Sequence, residues 1–211
     1  MKKTMLELFS GSGKISRSFQ RAGYKTTTVD VRKRKGVCEP DIRADIGQIT
    51  IHDLPSNEFD VVWVGLPCDI WSYAAKGHHW TTENLPKTKK CLDHIDLLHH
   101  TLSLLEQINT RYLFLENPRG HLRNYEYFQQ WMKRRGIITY TVTLSSYGFP
   151  TTKPTNIFTN LDNWIVRPLD DWGRGAKCAQ LFDNMTKAQR QSTPVALIED
   201  IINVIECNEN Y

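Results

Sequence analysis

Short apolar runs that end in turns of glycine, proline or asparagine alternate along this chain with stretches of helical period. The predicted strands are 4–9, 25–31, 59–64, 111–115 and 137–144. The predicted helices are 15–22, 92–105, 125–135 and 193–205. An alternating order of this kind implies an α/β fold, with a mainly parallel sheet and helices on both faces.

Length and composition are those of one ordinary globular domain. The chain has 211 residues, of which 40% are hydrophobic and 24% charged, so it can bury a core and is not a disordered or fibrous sequence. Its apolar runs fall short of the roughly 18 to 20 residues of a membrane helix, and its start does not resemble a signal peptide. We therefore expect a cytoplasmic protein with no membrane partner. The net charge of +4 is compatible with a polyanionic partner but does not require one.

The cysteines and histidines do not form a recognisable metal or disulfide pattern. The five cysteines are far apart and none occurs in a Cys-x-x-Cys arrangement, which indicates reduced thiols. His94, His99 and His100 lie on one predicted helix without a cysteine or acidic set at ligand spacing. We therefore expect no metal site.

Polar turns follow three of the predicted strands, and parallel strands bring such turns to one edge of the sheet, where ligands bind. Gly11 and Gly13 lie between a strand and a helix, and Asp30 closes the next strand 19 residues after Gly11, the position from which an acid binds a ribose. Cys68 and Glu116 follow two further strands. Each of these residues, taken alone, could equally have a purely structural role. Glycine turns join many strands to helices, free cysteines are commonly packed in the core, and carboxylates often cap turns.

Four motifs in order change this balance, because together they resemble the DNA cytosine-5 methyltransferase family. The motifs are LFSGSG at 8–13, GLPCDIWSYA at 65–74, ENP at 116–118 and YGFP at 147–150. The resemblance spans nearly the whole chain. It implies one catalytic domain over 1–211 with the Rossmann-like fold of S-adenosylmethionine-dependent methyltransferases, acting on double-stranded DNA.

The resemblance also implies a role for individual residues. Cys68 would be the nucleophile that adds to carbon 6 of cytosine, and Glu116 would contact ring N3, because carbon 5 is too poor a nucleophile to take a methyl group unaided. The residues implied for the cofactor S-adenosylmethionine are Phe9, Gly11, Gly13, Asp30, Asp45, Pro67, Ser192 and Thr193. Those implied for DNA are Ser72, Arg119 and Tyr147.

Departures from the family pattern keep other functions open. The family carries Gln-x-Arg-x-Arg after the YGFP motif, whereas this chain has TTKPT at 151–155, so that Lys153 takes the place of the first arginine as a catalytic candidate. The glutamine that usually follows the nucleophile is Asp69. One alternative is a catalytically silent, cofactor-bound DNA-binding or decoy protein. Another is an enzyme that modifies carbon 5 of a pyrimidine in RNA or a nucleotide, or that transfers a different group.

The family's target-recognition domain has little room in this chain. A short insertion at about 161–190 stands where that domain usually lies. Major-groove readout normally needs several base contacts from a helix, ribbon or loop set. We therefore expect short or relaxed sequence specificity, or specificity supplied by a second copy of the chain or by another protein. A compact enzyme of this kind suits the cytoplasm of a bacterial or phage-infected host cell.

Overall fold

One twisted sheet organises the molecule. The computed structural model describes residues 2–31, 39–168, 184–190 and 192–209, and within them seven strands pair in the order β3-β2-β1-β4-β5-β7-β6. The strands are β1 (Thr4–Leu8), β2 (Lys25–Asp30), β3 (Ile42–Arg43), β4 (Glu58–Gly65), β5 (Asn109–Pro118), β6 (Ile138–Thr143) and β7 (Pro154–Thr159). The pairs from β3 through β5 are parallel, while β7 runs antiparallel to both β5 and β6. The predicted mainly parallel sheet is confirmed.

Helices cover both faces of this sheet. They are α1 (Lys14–Arg21), α2 (Lys76–His79), α3 (Lys89–Gln107), α4 (Glu126–Arg134), α5 (Lys187–Arg190) and α6 (Val195–Glu209). Side chains alternate across a strand, so Val62 of β4 packs in one apolar cluster with Leu98 of α3, while Trp63 packs in the other with Phe19 of α1 and Ile201 of α6. The two clusters are the core, and each closes one face of the sheet, as predicted.

Local signals explain where the principal helices begin. Gly13, in the left-handed conformation at φ +65°, directly precedes α1. The hydroxyl oxygen of Thr88 accepts the N–H of Cys91 at 3.2 Å, which caps the first turn of α3.

Two segments differ from the sequence-based expectation. The stretch 76–90, predicted as a polar loop, contains α2 and the buried Trp80, whose indole N–H donates to the carbonyl of Ile70 at 2.9 Å. The reason is aromatic packing, because Trp80 lies against Trp71 with ring centroids 5.5 Å apart. Strand β7 was not predicted, because Thr155 and Asn156 read as loop residues although both are buried in the sheet.

The chain after β7 is only partly described. Leu161 and Trp164 are buried, and Trp164 packs edge-on against Tyr140 at 5.0 Å. Half of the predicted insertion, residues 169–183, lies outside the described residues, as does residue 191, so the domain limits stay a prediction. Across the described ranges, the helices are too short or too polar to cross a membrane.

Candidate active site

The carboxyl ends of β1, β4 and β5 surround a cleft of about 340 Å³. This is the edge at which the three polar turns were predicted to meet. Ten of the residues predicted from the sequence line it together: Phe9, Gly11, Asp30, Asp45, Pro67, Cys68, Glu116, Lys153, Ser192 and Thr193. The structure therefore brings residues that are up to 184 positions apart in the chain, from Phe9 to Thr193, to one site.

The glycine turn and Asp30 form one wall of the cleft. Phe9 and Gly11 both have positive φ, +60° and +53°, so the chain doubles back directly after β1. The N–H of Gly11 donates to the Asp30 carboxylate at 2.8 Å, which fixes the end of β2 against the turn. Gly13 lies behind this wall at the start of α1 and is not among the described residues that line the cleft.

Glu7 is a cleft residue that the sequence reasoning missed. It lies inside β1, is 2% exposed, and accepts the backbone N–H of Ser16 at 2.9 Å. Burial raises the pKa of its carboxyl to about 7, although the hydrogen bonds from Ser16 and the charge of Arg17 oppose the shift. The signal in the sequence was a charged residue within an otherwise apolar strand.

Cys68 lies in a tight turn after β4. Its carbonyl oxygen accepts the N–H groups of Trp71 at 3.1 Å and Ser72 at 3.3 Å, so the turn is held by its own backbone. The side chain is partly buried at the cleft. Burial raises the pKa of the Cys68 thiol, the Glu116 and Asp69 carboxylates raise it further, and Lys153 lowers it. The resting form of this cysteine is therefore the thiol.

Glu116 faces the same cleft from the end of β5. It pairs with Gly65 of β4 on one side and with Ile157 of β7 on the other, so two neighbouring strands fix its backbone. Burial raises the pKa of its carboxyl, and Lys153 opposes this shift. A carboxyl with a raised pKa keeps its proton to a higher pH than an exposed carboxyl does, and a protonated carboxyl can donate to a ring nitrogen.

Lys153 is the cation that acts on both groups. It precedes β7 with a left-handed backbone at φ +26°, and its ammonium group lies 5.5 Å from the centre of the Phe149 ring. Its charge lowers the pKa of Cys68 and of Glu116. The left-handed backbone and the aromatic contact hold the ammonium group at the cleft.

The three residues predicted to contact DNA occupy different surroundings. Ser72 forms a β-bridge with Gly120, and Arg119 is exposed, with its N–H donated to the carbonyl of Pro154 at 2.9 Å. Both lie beside the turns that carry the cleft residues. Tyr147, in contrast, is 3% exposed and belongs to the apolar cluster that contains α6.

Tyr147 is therefore packed in the core of the described structure, and its contact with DNA stays a prediction. Its hydroxyl donates to the carboxylate of Asp200 at 3.4 Å and accepts the N–H of Arg167 at 3.2 Å. Both hydrogen bonds are internal, because the motif that contains Tyr147 turns into the core before β7 begins.

Helix α3 also contributes to the cleft, which the sequence did not indicate. His94 and Leu97 line it, and burial lowers the pKa of the His94 imidazole. Asp69, which directly follows Cys68, lies 3.8 Å from the ammonium group of Lys90 at the start of α3. Within the described residues, no group of three or more His, Cys, Asp and Glu side chains is placed to hold a metal ion.

Comparison with known proteins identifies similar chains. A family model described as C-5 cytosine-specific DNA methylase matches residues 3–147. A protein of Frog virus 3 (isolate Goorha) named "Probable DNA (cytosine-5)-methyltransferase" is 25% identical over 169 residues, covering 77% of this chain and 73% of that protein.

Solved structures show the same fold. The Entamoeba histolytica methyltransferase EhMeth has a TM-score of 0.65 at 10% identity, with 99% of each chain covered. The S. pombe Dnmt2 methyltransferase has a TM-score of 0.51 at 13% identity, and the match covers 78% of this chain and 51% of that one. The sheet order and these neighbours give the chain a Rossmann-like methyltransferase fold.

Proposed function

Because the chain belongs to the family of C-5 cytosine-specific DNA methylases, we propose that it transfers a methyl group from S-adenosylmethionine to carbon 5 of cytosine in DNA. The observation that carries the proposal is the meeting of Cys68, Glu116 and Lys153 with the glycine turn in one cleft. These residues supply a nucleophile, a proton donor and a cation on one side, and a cofactor-sized space on the other.

The residues of the cleft suit S-adenosylmethionine. The cleft volume of about 340 Å³ lies within the roughly 300–1,000 Å³ typical of small-molecule sites. Asp30 is fixed by Gly11 at the rim, where a carboxylate can accept hydrogen bonds from ribose hydroxyls, and Asp45 lines the same side. The glycine turn lets the backbone approach the ligand, and the carboxylates favour a cationic sulfonium. Ser192 and Thr193, before α6, would close the far end.

Cys68 and Glu116 would perform the covalent step on the base. Cys68 loses its proton to solvent, and its thiolate sulfur forms a bond to carbon 6 while Glu116 donates its proton to N3. The electron pair of the carbon 5–carbon 6 double bond then becomes available at carbon 5. The cofactor supplies a methyl group on a sulfonium that leaves as a neutral thioether. Solvent next removes the proton from carbon 5, the bond between carbon 6 and sulfur breaks, the thiolate returns to Cys68, and N3 returns its proton to Glu116.

Lys153 would favour this sequence by stabilising negative charge. The thiolate of Cys68 and the carboxylate left on Glu116 are both anions that its ammonium group stabilises. A lysine offers a point charge rather than the planar fork of the family's arginine, so its role here is electrostatic more than geometric.

The cytosine must leave the duplex to reach Cys68. A base inside a stacked helix cannot present carbon 6 to a thiol at the bottom of a turn, so the base is flipped into the cleft. Ser72 and the exposed Arg119 lie at its edge, where a hydroxyl and a guanidinium can contact the displaced strand. The short segment at 161–190 leaves little surface for base readout, so we propose short or relaxed specificity in the isolated chain.

The test is methyl transfer by the purified full chain. Isotope-labelled S-adenosylmethionine is offered with double-stranded DNA, RNA and free cytidine nucleotide in parallel, and the products are identified by mass spectrometry of nucleosides. We expect 5-methylcytosine in DNA, none with Cys68→Ser, and wild-type activity with Cys207→Ser, which alters an exposed cysteine on α6.

A covalent trap examines the mechanism separately. DNA that contains 5-fluorocytosine should form a stable adduct with the wild type and not with Cys68→Ser, because fluorine at carbon 5 cannot leave as a proton does. Equal methylation by wild type and Cys68→Ser would refute the covalent role. Methylation of RNA or of the nucleotide alone would show that the substrate is not DNA. Salt-sensitive binding of DNA without any methylated product would indicate a protein that only binds DNA.

A further inference from the structure

The turn that carries Cys68 and the chain that follows Glu116 touch backbone to backbone at Gly120. Ser72 and Gly120 form an antiparallel bridge, and the N–H of His121 donates to the carbonyl of Trp71 at 2.6 Å. The contact therefore joins the turn that contains Cys68 directly to the segment that begins four residues after Glu116.

Space, rather than backbone conformation, is what requires glycine here. Gly120 is not one of the glycines with positive φ, so its backbone is open to other residues. A Cβ at this position, however, would lie 2.9 Å from the Cα of Ser72, 3.0 Å from the carbonyl carbon of Trp71 and closer still to its oxygen. These are backbone atoms, which cannot rotate away as a flexible side chain would.

The backbone of Trp71 has little room to move away from residue 120. Its indole is fully buried and packs against Trp80 and Tyr125, each with ring centroids 5.5 Å away. Trp80 is itself tied to the carbonyl of Ile70 at 2.9 Å. A side chain at 120 would therefore push the two active-site segments apart rather than be absorbed locally.

We propose that Gly120 is a positioning residue that sets the separation of the nucleophile Cys68 from the proton donor Glu116. It acts through the close approach of its backbone to Trp71 and Ser72. The proposal rests on the proposed function for the roles of Cys68 and Glu116, but the spacing itself is a property of the fold. Since a misplacement of about 1 Å in an active site can lower a rate by about a hundredfold, one methyl group at 120 should suffice to impair catalysis.

The experiment compares Gly120→Ala with Gly77→Ala in the full chain. Gly77 lies on α2, and a Cβ there meets no atom within 4 Å, so the same chemical change is made without a steric consequence. We expect Gly120→Ala to lower kcat for DNA methylation by about a hundredfold. Binding of S-adenosylmethionine, measured by calorimetry, should stay within about threefold of wild type, because the glycine turn and Asp30 are untouched. Gly77→Ala should match wild type in both.

A readout on the thiol separates this proposal from the proposed function. The rate of Cys68 alkylation by iodoacetamide, located by mass spectrometry and followed against pH, reports the charges around the sulfur without any DNA. We expect the midpoint of this profile to move in Gly120→Ala and to stay in Gly77→Ala. If the wild type methylates no acceptor, the proposed function fails while this comparison still decides the positioning role.

A second pair of variants covers the case in which Gly120→Ala does not fold. His121 has φ −73°, which proline adopts, so His121→Pro removes the N–H that binds the Trp71 carbonyl, whereas His121→Ala keeps it. We expect the thiol profile to move only in His121→Pro. Unchanged kcat and an unchanged thiol profile in Gly120→Ala would overturn the proposal. If Gly120→Ala does not fold, identical thiol profiles for the two His121 variants would overturn it.

Discussion

The side-chain amide of Asn117 donates a hydrogen bond to the backbone carbonyl of Leu66 at 3.1 Å. Asn117 directly follows Glu116, and Leu66 lies two residues before Cys68, so this bond is a second tie between the two halves of the candidate active site. Asn117 is fully buried. This hydrogen bond ties the start of the Cys68 turn to the chain after Glu116, and the contact at Gly120 ties the end of that turn to the same chain segment.

We expect Asn117→Ala to lower both stability and methyl transfer. The change leaves the Leu66 carbonyl without this donor in a buried place, which costs about 1–3 kcal/mol. The Oδ1 atom of Asn117 has no hydrogen-bond partner among the described residues, so its removal offsets part of that cost and the net loss should be near about 1 kcal/mol. Urea denaturation and steady-state methylation measure the two effects. Asn124→Ala, at an exposed position on the same segment, is the control, and equal behaviour of both variants would contradict the prediction.

Lys153→Met should move the whole pH dependence of methylation to higher pH. Lys153 lowers the pKa of both Cys68 and Glu116, so its removal raises both. The active form needs the Cys68 thiolate and the protonated Glu116 carboxyl together, and because both pKa values rise, both limbs of the profile move to higher pH. The measurement is kcat/KM against pH at saturating S-adenosylmethionine.

Lys153→Arg is the matched control, because it keeps the positive charge. Its profile should overlay that of the wild type. A Lys153→Met profile that overlays the wild type, or a shift of equal size in Lys153→Arg, would show that charge is not what Lys153 contributes.

The part of the site that could be predicted from sequence is the part made by local patterns. Gly11, Cys68 and Glu116 each follow an apolar run within a few residues, and the α/β order alone places such strand ends together. The glycine turn, the turn of Cys68 and the carboxylate at the end of β5 could therefore be located without any knowledge of distant contacts.

The rest depends on contacts between segments far apart in the chain. Strand β7 is polar in sequence, yet Asn156 is buried because its side-chain oxygen accepts the hydroxyl of Thr141 at 3.0 Å across the sheet. Tyr147 belongs to a motif of the resembling family, but its burial is decided by α6, more than 40 residues later. Gly120 carries no local signal, because what it must accommodate is the backbone of Trp71.

Glu7→Gln should remove a pH dependence of stability that lies between about pH 4.5 and 7. The Glu7 carboxyl has its pKa raised to about 7 by burial, so the folded state keeps a proton that the unfolded chain has already lost. Where the folded state binds more protons, stability falls as pH rises, and the fall ends once the folded carboxyl has also ionised. At 1.36 kcal/mol for each pKa unit, the free energy of unfolding of the wild type should fall by about 3 kcal/mol relative to Glu7→Gln over this range.

Urea denaturation of the two proteins at pH 5 and pH 8 measures this difference directly. Glu58→Gln, at an exposed strand position, should follow the wild type at both pH values. Parallel curves for the wild type and Glu7→Gln would show that the Glu7 carboxyl is already ionised in the folded protein at pH 5.

Asp200→Ala should destabilise the protein by about 2 kcal/mol, because hydrogen bonds to a charged group are worth about 1.5–3 kcal/mol each and this side chain is partly exposed. Its carboxylate accepts the indole N–H of Trp164 at 3.0 Å, the hydroxyl of Tyr147 at 3.4 Å and the guanidinium of Arg167 at 3.3 Å. One residue of α6 therefore holds the chain on both sides of β7. In a chain of this length, a loss of that size lowers Tm by roughly 4–8 °C.

Glu199→Ala is the matched control, because Glu199 is the exposed neighbour of Asp200 on the same helix. Thermal unfolding of both variants gives the comparison, and Asp200→Asn adds a test of charge, since an amide oxygen can still accept one N–H but offers no anion to Arg167. We expect Tm to fall in the order Glu199→Ala, Asp200→Asn, Asp200→Ala. Similar Tm values for the two alanine variants would mean that apolar packing of Tyr147 and Trp164, rather than their hydrogen bonds to Asp200, anchors this segment.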